Sequence, residues 1–172
     1  MAQTPKFEIH RNDPSALARF AALNAAWIEE LHYLEESDKK MIAHPEMYTE
    51  NGNSVFSVHI GDVVAGACAL KKDAQGEWEL TKMAVDPKFQ GRGLGQTLMD
   101  VIETYAKDTM GLKRIYLLSN TGNAAAIRLY KRNGWTVNHE GKHPVYARCN
   151  ICLLYTSPSP RDRTRSRMPS SA

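Results

Sequence analysis

The chain has 172 residues, 42% hydrophobic and 24% charged, which suffices for one domain with a sizeable core and falls short of two. Its formal charge of +3 sits in the tail, where Arg161, Arg163, Arg165 and Arg167 face only Asp162; residues 1–150 hold 18 bases and 18 acids, so no nucleic-acid partner is expected. No run of about 18 apolar residues exists and residues 1–13 lack a signal-peptide pattern, which excludes a membrane span and predicts a cytoplasmic protein.

Residues 6–10 read as a first strand. Asp13-Pro14 then offers an N-cap and a first-turn proline. Leu17, Phe20, Ala21, Leu23, Ala26, Trp27 and Leu31 recur at helical spacing, and a second helix over 36–42 stops before Pro45. After a turn at Asn51-Gly52-Asn53, residues 55–60 and 63–70 form β-rich runs joined at Gly61-Asp62, a hairpin signal. A third run covers 78–85. Leu94, Leu98, Val101, Ile102 and Tyr105 restore the helical period, 115–118 is again a strand, and 124–131 is a helix that Gly134 can end in the left-handed conformation. Residues 135–137 and 146–154 supply the last strands. The order predicts a single-domain α/β (α+β) fold over 1–154, a mixed central sheet flanked by helices on both faces.

From about residue 155 the chain is Ser, Pro and Arg with almost nothing apolar, so 155–172 is expected to be disordered. Its wording resembles translated sequencing-adapter or vector sequence rather than a native C-terminus.

The strongest local signal is Gln90-Gly91-Arg92-Gly93-Leu94-Gly95, between a strand and a helix. Glycines let backbone N–H groups approach a ligand, and the positive end of the next helix favours an anion such as phosphate. No Gly-Lys-Ser/Thr follows, which excludes a P-loop. The loop comes after the fourth strand rather than the first, against a dinucleotide fingerprint.

At these residues the chain resembles the GNAT (Gcn5-related N-acetyltransferase) superfamily. Members carry Gln/Arg-x-x-Gly-x-Gly/Ala after an apolar strand, here behind Met83-Ala84-Val85-Asp86-Pro87. They also carry an Asn near the start of the next helix and a Tyr within it, here Asn123 and Tyr130. The resemblance covers residues 55–150, most closely 80–135. It implies an acyl-CoA N-acyltransferase fold and acetyl-CoA as cosubstrate. Its pyrophosphate would lie on the loop, on Gln90, Gly91 and the backbone N–H groups of Arg92, Gly93, Leu94, Gly95 and Gln96. The pantetheine arm would run beside Met83, Ala84 and Val85, with Asn123 and Ala126 completing the cofactor side.

Acetyl transfer to an amine needs a proton acceptor for the amine and a proton or hydrogen-bond donor for the leaving thiolate. The resemblance puts Tyr130 beside the thioester sulfur as the acid; from pattern alone it would equally be a core aromatic. Glu79 is the candidate base, or else a solvated strand residue or an acceptor-binding anion. Strict alternation sets Glu79, Thr81, Met83 and Val85 on one face of their strand. Asn123 binds cofactor, caps its helix, or does both.

For the acceptor, the acidic and aromatic stretch around Glu29, Glu30, Glu35 and Glu36 offers Tyr33 and Glu36, against the plainer reading of a solvated helix face. Tyr146, Arg148 and Asn150 alternate on one strand, where Arg148 would hold an acceptor carboxylate or simply form a surface salt bridge. The three cysteines show no disulfide or metal pattern, and no metal is expected. Exposed strand edges near the C-terminus leave room for a homodimer. The expected activity is acetyl transfer from acetyl-CoA to a primary amine of a small molecule or amino acid by direct attack in a ternary complex. The alternatives are a protein or peptide N-acetyltransferase and a non-catalytic acyl-CoA sensor on the same fold.

Overall fold

The computed structural model describes residues 6–31, 33–143 and 148–157. Along them run β1 (Phe7–Arg11), α1 (Leu17–Leu31), α2 (Glu36–Ala43), β2 (Ser54–Ile60), β3 (Val63–Lys72), β4 (Trp78–Val85), α3 (Leu94–Thr104), β5 (Arg114–Ser119), α4 (Ala124–Arg132), β6 (Thr136–Glu140) and β7 (Ile151–Thr156). The strands form one mixed sheet in the order β1-β2-β3-β4-β5-β7-β6. Among the described residues β4 and β5 are its parallel pair; the other neighbours are antiparallel.

Alternation along β3 divides the core between the two faces. Cys68 and Leu70 pack with Leu98, Met99 and Ile102 of α3, while Ala67 and Ala69 meet Phe20 of α1, Met41 of α2 and Tyr48. The two helical layers expected from the sequence are therefore both present. Among the described residues no helix is long and apolar enough to cross a membrane.

Several local expectations shift. Phe20, Ala21 and Leu23 of α1 are buried as their spacing predicts, but further along Asn24 and Ile28 turn inward while Ala26 and Trp27 (37%) are exposed. Met99 is buried on the α3 side as well, and the helix runs on through a π-helical turn over Tyr105–Thr109 in which Ala106 is buried. The last strand starts at Ile151, leaving Arg148 and Asn150 in irregular backbone; Tyr146 lies outside the described residues. That strand runs through Thr156, and Ser157 N–H still bonds Lys113 O at 2.8 Å, so the boundary expected after Leu154 falls inside β7. Residues 158–172 lie outside the described residues.

The largest correction concerns β4. Ala69 pairs with Thr81 but Ala67 pairs with Ala84, so β4 spends three steps where β3 spends two. The extra residue is a bulge at Lys82, whose φ is 56°. It reverses the facing of the strand: Thr81 keeps the α1/α2 side with Ala69, whereas Met83 and Val85 pack into the α3 core. Glu79 and Met83 therefore face opposite ways.

The end of α4 is fixed by a Schellman motif. Gly134 (φ 88°) donates its N–H to Lys131 O at 3.0 Å, and Trp135 donates to Tyr130 O at 3.1 Å. The apolar contact that accompanies this motif is Trp135 against Tyr130, ring centroids 6.3 Å apart. Trp135 is 2% exposed and donates its indole N–H to Glu103 at 2.7 Å. Trp135→Ala should cost about 3–5 kcal/mol in urea unfolding, and the near-UV signal of Tyr130 should change with it.

Candidate active site

Parallel strands β4 and β5 are in register only at Glu79 and Tyr116. Beyond that pair they part, and a cavity of about 400 Å³ fills the opening, within the range of small-molecule sites. Leu80 to Met83 of β4 and Leu117 to Ser119 of β5 form two walls, Asn24, Trp27 and Ile28 of α1 a third, and Asn123 with Tyr130 close one end.

Glu79 and Tyr130 both line this cavity, so the two catalytic candidates are brought together. Burial pushes the Glu79 carboxyl up to about 7, against the pull of the Lys82 and Lys71 ammonium groups and the Tyr116 hydroxyl. Tyr116 itself donates to Asp73 Oδ2 at 2.8 Å. Burial, with Cys68 beneath, pushes the Tyr130 phenol up to about 12. Its hydroxyl has no hydrogen-bond partner among the described residues. Asn123 precedes α4 without making a side-chain cap, so its amide is left on the cavity wall. The loop carrying it is tied down from the far side: Asn120 Nδ2 donates to Arg148 O, and Thr121 N–H to Asn150 Oδ1, both at 2.8 Å.

The glycine loop begins just past β4. Asp86, buried and paired with Arg19, accepts the Lys88 N–H at 2.9 Å and so fixes the turn that leads into the loop. Gly91 and Gly93 both take φ 79°, where a side chain would be strained. Gly93 precedes α3 with no side-chain cap, leaving the first-turn N–H groups of an 11-residue helix without a side-chain acceptor. That arrangement fits a phosphate. Leu94 is buried and anchors the turn, Gly95 lets Leu129 of α4 approach to 3.4 Å of where a Cβ would stand, and Arg92 lies over Phe89. Gln96 exchanges amide hydrogen bonds with Asn133 at 2.6 and 3.0 Å, so its side chain is a strut between α3 and α4. Gln90 bonds Val85 O at 3.3 Å. Met83 lines the cavity; Ala84, Val85 and Ala126 do not.

On the acceptor side Tyr33 is 65% exposed, the Glu36 side chain is 82% exposed beside Lys39, and neither lines the cavity. Arg148 does, and half of its guanidinium is engaged: Nη2 lies 2.9 and 3.0 Å from the two oxygens of Asp38, while Nη1 is buried with no hydrogen-bond partner among the described residues. Asp38 is fully buried and also receives Lys82 Nζ and the Glu35 N–H, each at 2.8 Å. Burial alone would push its carboxyl up; the hydrogen bonds from Lys82, Glu35 and Arg148 outweigh that and hold it below the usual range. Asn24 joins the same junction through Lys82 O at 3.0 Å.

Asn24, Asp38, Lys71 and Lys82 were not singled out from the sequence. Asn24 breaks the apolar stripe of α1, and Glu35 with Asp38 has the spacing of a capping box, which α2 forms; Lys71 and Lys82 give no signal. Away from the cavity, β1–β2 pairing stacks His10 on His59 at 3.9 Å with Asp13 Oδ2 2.8 Å from His10 Nδ1. Their ligand atoms are close enough for a cation, a grouping that no spacing in the sequence displays.

The model of the acetyltransferase (GNAT) family matches residues 20–135. The chain is 36% identical over 61 residues to a spermine/spermidine N(1)-acetyltransferase of Bacillus subtilis, covering 36% of this chain and 40% of that protein. It is 27% identical over 124 residues to a mycothiol acetyltransferase of Actinosynnema mirum, covering 72% of this chain and 41% of that one. It thus spans about two-fifths of the length of these relatives. Its fold is that of a GNAT-family acetyltransferase from Staphylococcus aureus Mu50 (TM-score 0.75, 17% identity, 88% of this chain and 99% of that one). It is likewise similar to a Salmonella typhimurium acetyltransferase solved with acetyl-CoA (TM-score 0.71, 20% identity, 88% and 94%).

Asp38→Asn would leave Lys82 and Arg148 buried without their counter-charge. Equilibrium unfolding should show a loss of about 3–5 kcal/mol, several times that of an exposed control such as Glu36→Gln.

Proposed function

The chain belongs to the GNAT acetyltransferase family, and on that premise we propose that it moves the acetyl group of acetyl-CoA to the primary amine of a small molecule or amino acid. The observation that carries this is the convergence of Glu79 and Tyr130 on one cavity at the parting of β4 and β5. The relatives named for polyamine and mycothiol acetylation support a small acceptor, and so does the third wall that α1 adds.

Acetyl-CoA supplies an activated acyl thioester when bound. The uncapped start of α3 with Arg92, Gly93, Leu94, Gly95 and Gln96 would hold its phosphates, and the unpaired edge of β4 at Met83 would align its arm. Glu79 takes a proton from the acceptor amine as the new C–N bond forms and the thioester C–S bond breaks. A carboxyl at about 7 is half ionised at neutrality and well matched to that task. Tyr130 points a retained O–H at the departing thiolate. At about 12 it lies well above a free thiol, near 8.5, so it acts by hydrogen bonding rather than by complete proton release. Asn123 keeps a neutral amide on the same wall.

Free-CoA release with acetyl-CoA and a panel of amino acids, polyamines and short peptides tests the reading. Glu79→Gln should lower kcat by about 10²–10⁴, and wild-type kcat/KM should rise as pH passes through about 7. Tyr130→Phe should lower kcat with acetyl-CoA affinity kept. Tight acetyl-CoA binding without turnover would assign the chain to the sensor class instead.

Stability gives an independent check on Glu79. Its carboxyl ionises near 4.5 when unfolded and near 7 when folded, so the native state holds the extra proton between those values. The stability it contributes is full below about pH 4.5 and lost as pH rises through 7. Glu79→Gln should therefore melt a few degrees above wild type at pH 8, with the gap closing toward pH 4.5.

A further inference from the structure

We propose that the acceptor carries a carboxylate beside its amine, and that Lys71 is the residue that receives it. The inference rests on the acetyltransferase reading and concerns which amines that site accepts.

Three cations line the cavity: Lys71, Lys82 and Arg148. Two of them already have a counter-charge, since Lys82 and Arg148 Nη2 both close on the buried carboxylate of Asp38, and the unpartnered Arg148 Nη1 is itself buried. Lys71 has no salt bridge among the described residues. Its ammonium instead lies over the Tyr48 ring, 5.3 Å from the centroid, which holds it in place without neutralising it. A half-buried ammonium at a cavity wall is best satisfied by an anion arriving from the cavity.

The strand register places that ammonium beside the candidate base. Lys71 of β3 is directly opposite Glu79 of β4, on the same face of the sheet. Side chains in such a pair start about 5 Å apart, so one small acceptor can offer its amine to Glu79 and its carboxylate to Lys71. An α- or β-amino acid has that spacing.

Charge discriminates against the opposite class. Glu79 is the one carboxylate among the described residues that line the cavity, and three cations share the wall with it. A polyamine would bring further positive charge against Lys71 and find no second carboxylate there. Like charge placed across a binding surface disfavours the wrong partner.

The experiment compares matched acceptors on the full chain: L-amino acids, their α-carboxamides, and spermidine, each with acetyl-CoA and free-CoA detection. Wild type should use the carboxylates with kcat/KM at least about tenfold above the amides. Lys71→Met should bring that ratio close to one, chiefly by raising KM for the carboxylates, and Lys71→Arg should restore part of it. Lys71 also lowers the Glu79 carboxyl, so its loss will shift the pH profile for every acceptor alike; the carboxylate-to-amide ratio cancels that effect. Calorimetric acetyl-CoA affinity equal to wild type shows that the variants are folded. Equal use of acids and amides, a ratio unmoved by Lys71→Met, or a preference for spermidine overturns the proposal and leaves the acetyltransferase reading standing. Failure to acetylate any acceptor overturns both.

Discussion

The site depends on one extra residue in β4. Without a bulge at Lys82, β4 would continue in register, Met83 would stay on the Glu79 face, and Lys82 would enter the α3 core. With it, the Lys82 side chain turns to the α1/α2 side and meets Asp38. A lysine and an aspartate taken out of water lose solvation that their attraction only partly returns, so this contact is poorly explained as a source of stability. It is better explained as a fixture. Asp38 has the oxygens to hold Lys82, Arg148 and the first turn of α2 at once, and Asn24 grips the carbonyl of the bulged residue from α1. Four separate pieces of chain are thereby held around the point where β4 leaves β5, and the cavity is the space that this departure leaves.

A second, independent device holds the other end. Tyr130 sits in the last turn of α4, where helices ordinarily fray, yet its carbonyl is taken by Trp135 and its ring packs on the same residue. Gly134 makes this possible by adopting a backbone angle that other residues reach only with strain. The Gln96–Asn133 amide pair and the close approach of Leu129 to Gly95 then bind α4 to the start of α3. The phosphate-type loop and the phenol are thus parts of one rigid body, and a group bound at one has a fixed relation to the other.

What was legible in the sequence was local. Residues 90–95 announce their backbone in their composition, Gly134 announces the end of α4, and Asp13-Pro14 the turn before α1. The facing of β4 was not legible, because nothing about a lysine signals a φ of 56°, and strict alternation then carried Met83 and Val85 to the wrong face. Arg148 lines the cavity from irregular backbone rather than from a strand, and its partner lies 110 positions away, so its engagement with Asp38 could not be read. Tyr33 and Glu36 looked attractive because acidic and aromatic residues cluster there, and the same composition also makes an exposed segment. Lys71 went unnoticed for the complementary reason: a lysine near the end of a strand is usually solvated, and only the register with Glu79 gives it a role.

Burial acts on the two candidate catalytic groups in the same direction and with opposite chemical consequence. Both are acids, so removal from water raises both. For Glu79 the shift ends at about 7, where the carboxyl exchanges protons readily with a neutral solution; the nearby Lys71 and Lys82 ammonium groups oppose a larger rise. For Tyr130 no cation is at hand, and the shift ends at about 12, where the phenol keeps its proton throughout. One environment thus yields an exchangeable proton acceptor and a fixed hydrogen-bond donor on the wall of the same cavity. The difference between them is intrinsic, a carboxyl that starts at 4.5 against a phenol that starts at 10, and the lysines on the β3–β4 side only keep the Glu79 rise from going further. Of the two, Lys82 is closed on Asp38 and Lys71 has no salt bridge among the described residues, so on the proposed reading the Lys71 charge both tunes the base and selects the acceptor.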